Sequence, residues 1–137
     1  MRTAMRPRYY CDFCKKGSGS PSHMKRHEVG CTIRADRTCG MCKRSDTPQR
    51  PLTELIPVAL TGDIEALRVA ASGCPACMLA AIRQAPWPTE TVQPDGPTGT
   101  PYTYQARPEA VGNWDFKAAC TAFWSAEGER GYNEGAY

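Results

Sequence analysis

Six of the eight cysteines in this chain stand in Cys-x-x-Cys pairs, Cys11/Cys14, Cys39/Cys42 and Cys74/Cys77, and the two histidines, His23 and His27, follow closely on the first pair. A two-residue gap on a tight turn aims both sulfurs at one point about 2.3 Å away, the geometry of a tetrahedral zinc site. In a secreted chain this many cysteines would read as a disulfide scaffold; in a reducing compartment, pairs with histidines nearby read as metal ligands. The opening MRTAMRPRYY lacks the apolar stretch of a secretory signal, and no apolar run is long enough to span a membrane. The expectation is an intracellular, cytoplasmic protein with zinc as its cofactor.

Between Tyr9 and Cys31 five residues compete for four ligand positions: Cys11, Cys14, His23, His27 and Cys31. Residues four apart share a helix face, so His23/His27 and His27/Cys31 both qualify as the second pair. The first choice leaves eight residues to turn the chain and start a helix, whereas the second leaves twelve, as C-x2-C-x12-H-x3-C. Twelve is the interval expected of a finger. Ser20 as the cap, Pro21 as the first helical residue and Gly30 as the breaker agree with it. Cys11, Cys14, His27 and Cys31 are therefore expected to bind metal, and His23 to stand outside.

On these residues the stretch resembles the C2H2 zinc-finger superfamily, in a variant with a terminal cysteine. Tyr9 stands where the family puts an aromatic before the first cysteine, and Met24 where it puts a leucine. Ser18 occupies the family's mid-loop aromatic position, which leaves little apolar core and makes the unit depend on metal. The resemblance implies a ββα-like finger over residues 1–34, with Ser20, His23 and Arg26 facing a major groove. Arg26 would pair with guanine and His23 with a base edge. Lys15, Lys16 and Lys25 would contact phosphates, joined by Arg2, Arg6, Arg8, Arg34, Arg37, Lys43 and Arg44.

The remaining pairs form C-x2-C-x31-C-x2-C, from Cys39, Cys42, Cys74 and Cys77. Four thiolates make a closed structural site with no position for a reacting water. The arrangement resembles a treble-clef or ribbon-like site, with helical signal where those folds place a hairpin. Two zinc ions are expected. Cys74-Pro75-Ala76-Cys77 at a helix start also has the form of a redox dithiol, so a thiol-disulfide oxidoreductase is the enzymatic alternative. The strand-helix-strand surroundings of that fold are missing. A His-Asn-His nuclease would need further histidines, and a zinc deaminase a His/Cys-x-Glu element before its cysteine pair. No enzyme is expected.

The fold class expected is small zinc-stabilised α+β, mostly helical. After the finger comes a four-cysteine helical zinc module over 35–85. Within it Leu52 to Leu60 is apolar but interrupted by Pro57, and Ile64, Leu67, Ala70 and Ala71 recur at helical spacing behind Asp63. A further helix opens at Cys74-Pro75 and runs to Gln84. Residues 86–112, rich in proline and glycine, read as an extended linker. An amphipathic helix and tail fill 113–137, with Asn113 as the cap, a stripe of Phe116, Ala119, Cys120, Phe123 and Trp124, and a frayed end from Gly128 to Tyr137.

Charge is split between the two ends. Residues 1–50 carry twelve Lys/Arg against four Asp/Glu, while residues 51–137 carry five against ten. A basic metal-binding end suggests a polyanionic partner, DNA ahead of RNA, met through Ser20, His23, Lys25, Arg26, Lys15 and Lys16. The alternative is a protein-protein adaptor anchored by Trp114, Phe116, Phe123 and Trp124. Neither a membrane nor a small-molecule substrate is indicated. The segments Arg26-His27-Glu28-Val29-Gly30-Cys31 and Cys39-Gly40-Met41-Cys42 also give the chain a likeness to small zinc-finger proteins of bacteriophages and their hosts, which implies a regulatory or nucleic-acid-associated role.

Overall fold

The structure, a computed structural model, describes residues 6–96 and 98–126. Arg2 and the tail from Gly128 to Tyr137 lie outside the described residues. The described chain is a small α+β protein, about half helical, with two small antiparallel sheets.

The N-terminal unit runs strand, strand, helix. Strands β1 (Tyr9–Tyr10) and β2 (Gly17–Ser18) pair antiparallel, with Tyr9 opposite Ser18 and Tyr10 opposite Gly17. A Cβ at Gly17 would lie 2.9 Å from both the Arg8 guanidinium and the Tyr10 ring, so those side chains would have to shift to admit one. Helix α1 (Pro21–Gly30) starts as its sequence dictates: Pro21 sits in the first turn and the Ser20 hydroxyl accepts the His23 N–H at 3.3 Å. The buried hydrophobic set of this unit, among the described residues, is Cys11, Met24 and Cys31, with Cys14 and Ile33 packed beside it and His27 buried as well.

Five helices build the larger core. They are α2 (Gly40–Ser45), α3 (Leu52–Leu60), α4 (Ile64–Ala70), α5 (Pro75–Gln84) and α7 (Phe116–Ala126), with a single turn, α6 (Glu109–Gly112), before the last. Helix α5 is central and touches α3, α4 and α7. Its alanines permit that close approach, and it buries Ala76, Met78, Ala80, Ala81 and Ile82. Helix α3 corrects the expectation of a break at Pro57: it is continuous through the proline. An interior proline costs about 3 kcal/mol, and the burial of Leu55 and Ala59 on one face of α3 offsets it. Asp63 caps α4 as expected, its carboxylate accepting the Ala66 N–H at 3.1 Å. After α4, Ser72 (φ 55) and Gly73 (φ 80) are both left-handed and turn the chain into Cys74 and α5.

The stretch expected to be a linker is instead structured. Strands β3 (Thr89–Val92) and β4 (Tyr102–Gln105) form a hairpin with Thr89 opposite Gln105 and Val92 opposite Tyr102. The prolines flank the strands and leave the paired residues, mostly Thr, Val and Tyr, free to bond. Trp87 ties the hairpin down by burying its ring and donating its indole N–H to the Ile82 carbonyl at 2.6 Å. Val111 enters the same core.

Asn113 does not cap α7; it ends α6. The cap is Asp115, whose carboxylate accepts the Ala118 N–H at 3.0 Å. The expected stripe is real, with Cys120 and Trp124 buried and Phe116 and Phe123 packed against the core.

Candidate metal centres

The first donor set is made where a knuckle meets the end of a helix. Cys11 and Cys14 lie on the turn after β1, held by the Cys11 N–H to the Lys16 carbonyl (2.9 Å) and the Lys15 N–H to the Cys11 carbonyl (3.0 Å). His27 and Cys31 come from the last turn of α1 and the residue after it. The four ligand atoms all lie within 4.8 Å of one another, and His27 Nε2 is 3.2 Å from Cys14 Sγ. His23 is outside this set. Burial, reinforced by the nearby Lys16 charge, holds the His27 pKa below its ordinary value, which keeps the imidazole in the neutral form a metal requires. Burial pushes the Cys31 thiol up to about 11. At Cys11 burial also opposes ionisation, but the N–H groups of Cys14 and Phe13 outweigh it and lower the pKa.

The second set is built from two helix starts. Cys39 and Cys74 are the residues just before α2 and α5, and Cys42 and Cys77 lie in the first turns of those helices. Cys39 Sγ is 3.5 Å from Cys74 Sγ, and Cys42 Sγ is 3.6 Å from Cys77 Sγ. Four thiolates about 2.3 Å from a tetrahedral zinc are about 3.8 Å apart, so the sulfurs already stand near their metal-bound spacing. Each of the two sets supplies four ligands, and together they fit two zinc ions. Hydrogen bonds from Cys42, Cys74 and Cys77, with Arg37 close by, lower the pKa of Cys39 against the opposing effect of burial. Cys74 and Cys77 are buried in the core, facing the upstream pair. All eight cysteines are free thiols, and Cys120 is buried on α7, where loss of solvent pushes it up to about 11.

Between the two sets runs a seven-residue segment, Thr32 to Thr38, that the sequence offered only as a basic connector. It is a seam. It takes the last three carbonyls of α1, among those that a helix leaves without partners. Arg34 Nη1 donates to the Glu28 carbonyl (3.2 Å), the Thr38 N–H to that of Val29 (2.9 Å), and Arg37 Nε to that of Gly30 (3.2 Å). From the other side, the Gln84 amide donates to the Thr32 and Arg34 carbonyls, and Arg83 to the Thr32 hydroxyl. Gln49 bridges the seam to the second set by donating to the Arg37 carbonyl (2.8 Å) and accepting the Cys39 N–H (2.6 Å).

Two residues expected on phosphates are corrected here. Arg37 is only 5% exposed, and its Nη1 donates to Cys77 Sγ at 3.7 Å. Burial works against its charge, but Cys39 and Cys77 outweigh that and raise its pKa. Arg34 pairs with Asp36 at 2.7 Å and lies over the Phe13 ring, 5.0 Å from its centroid. Nothing local in the sequence marks Arg37 or Gln49, since their roles depend on how α1 approaches α5.

Of the residues expected on nucleic acid, Lys15, Lys16, Lys25 and Arg26 are exposed, and Ser20 and His23 are half-buried. The Ser20 hydroxyl is committed to the helix cap. His23 and Arg26, three apart, share a face of α1. Lys25 instead borders a groove of about 560 Å³ with Arg8, Tyr9, Tyr10 and Glu28. Compared with models of protein families, with curated proteins and with solved structures, the chain matches none of them.

Proposed function

We propose that this protein is a zinc-stabilised nucleic-acid binder, acting on DNA ahead of RNA through its N-terminal unit, in the manner of C2H2 fingers. The observation that carries the reading is the face of α1 on which the exposed Arg26 stands one turn from the half-buried His23, with the exposed Lys15 and Lys16 on the neighbouring knuckle. Arg26 and His23 are suited to base edges and the lysines to phosphates. With Arg34 and Arg37 committed to the seam, about four cations are counted for phosphate contact, giving a slope of log affinity against log salt of about −4. Fluorescence anisotropy with a labelled duplex at several salt concentrations tests this. Arg26→Ala should lose about 1–3 kcal/mol of preference for a guanine-containing site, and Lys15→Ala should weaken all sequences alike. No binding near physiological salt rejects the reading.

The adaptor alternative changes its anchor. Trp124 is buried in the core, and the hairpin, where Tyr102 (54%) and Tyr104 (44%) are exposed, offers a pair of accessible aromatics in its place. Binding of a protein partner that is lost on Tyr102→Ala, without any affinity for duplex, would favour it.

A further inference from the structure

Through one guanidinium Arg37 bonds a ligand of the second donor set and the backbone beside a ligand of the first. Its Nε donates to the carbonyl of Gly30, the residue before the ligand Cys31, and its Nη1 donates to the ligand Cys77. Its Nη2 is buried without a hydrogen-bond partner among the described residues. Leaving a buried guanidinium donor unpaired is costly, so hydrogen bonding alone does not explain why the side chain is held there. Charge does: a zinc ion with four thiolates carries two net negative charges, and one fixed cation against the sulfurs partly neutralises them. The same cation sits at the negative end of α1, a second favourable electrostatic contact.

We propose that Arg37 couples the two metal sites, so that filling one raises the affinity of the other. Metal at Cys11, Cys14, His27 and Cys31 fixes the end of α1 and with it the Gly30 carbonyl. That carbonyl orients the guanidinium, which then meets Cys77 already in place. Metal at the four-cysteine set fixes Nη1 and, through Nε, the end of α1. A coupling of this kind is reciprocal. Groups that hydrogen-bond to metal ligands commonly change affinity by about 10–100-fold, and the coupling is expected at the lower end, about tenfold.

The test is cobalt titration of the full reduced chain, where four-thiolate and three-thiolate-plus-imidazole sites absorb at different wavelengths. In the native background, His27→Ala should weaken cobalt at the four-cysteine site by about tenfold, and Cys42→Ser should weaken the other site by the same factor. In an Arg37→Met background, His27→Ala should change the four-cysteine site by less than about twofold, although the single variant already binds more weakly. Arg37→Lys provides a second route if Arg37→Met does not fold: it keeps a charge near Cys77, but its three donors share one nitrogen and cannot reproduce the separate Nε and Nη1 contacts, so coupling should fall while four-cysteine affinity stays closer to native. Three results would overturn the proposal: no effect of His27→Ala in the native background, the same loss in Arg37→Met, or full coupling in Arg37→Lys.

Discussion

Around the first donor set, Met24 is the only buried apolar side chain among the described residues other than the cysteines themselves. Around the second set, Leu55, Leu67, Met78, Ile82, Trp87 and Trp124 join the four ligands in one continuous core. Both regions use a Cys-x-x-Cys knuckle and four ligands, yet metal does different work in each. In the N-terminal unit it substitutes for a core that ten helical residues and two two-residue strands cannot assemble. In the helical region it closes a structure whose helices already bury each other's faces. The ligand set therefore does not by itself say how much of a fold depends on its metal.

The largest effect expected from this contrast is at His27. His27→Ala should release one of two zinc ions in native mass spectrometry and unfold the N-terminal unit, since metal binding contributes about 10–16 kcal/mol in comparable small fingers. Backbone amide signals of the helical region should remain dispersed, and His23→Ala should keep both ions. Loss of dispersion throughout the chain on His27→Ala would break the comparison. Next in size is Leu67→Ala, which empties a fully buried position of α4. It should cost about 2–5 kcal/mol, read as a lower denaturation midpoint of the helical region with the N-terminal unit's metal retained. The smallest is at the start of α7, where Asp115→Ala should cost about 0.5–2 kcal/mol and Asn113→Ala much less. Equal losses from those two substitutions would return the cap to Asn113.

The Cys-x-x-Cys pairs, the Ser20 cap, the Asp63 cap and the start of α5 at Pro75 were legible in the sequence because each follows from residues a few positions apart, and the distant pairs Cys39/Cys42 and Cys74/Cys77 could be joined because each left the other as its match. The hairpin was not. Its pairing joins Thr89 to Gln105 across a stretch of proline and glycine whose composition argued for a linker. Helix α3 was obscured for a related reason: Pro57 is a local signal, and the burial that overrides it comes from α5 and α4. Arg37 was misread most completely. A basic residue in a basic half looked like surface charge, and only the bonding of the seam to both α1 and α5 turns it inward.

The seam also bears on how the N-terminal unit could approach a ligand. Fingers in tandem arrays follow the groove one after another, about 3 bp each. Here the last three carbonyls of α1 are fastened to Arg34, Thr38 and Arg37, and Gln84 holds the same segment from α5. The unit cannot swivel without breaking those bonds, so any surface it meets must also make room for the helices beside it. If the unit meets duplex as proposed, that requirement makes the shape of the duplex count beside its base sequence.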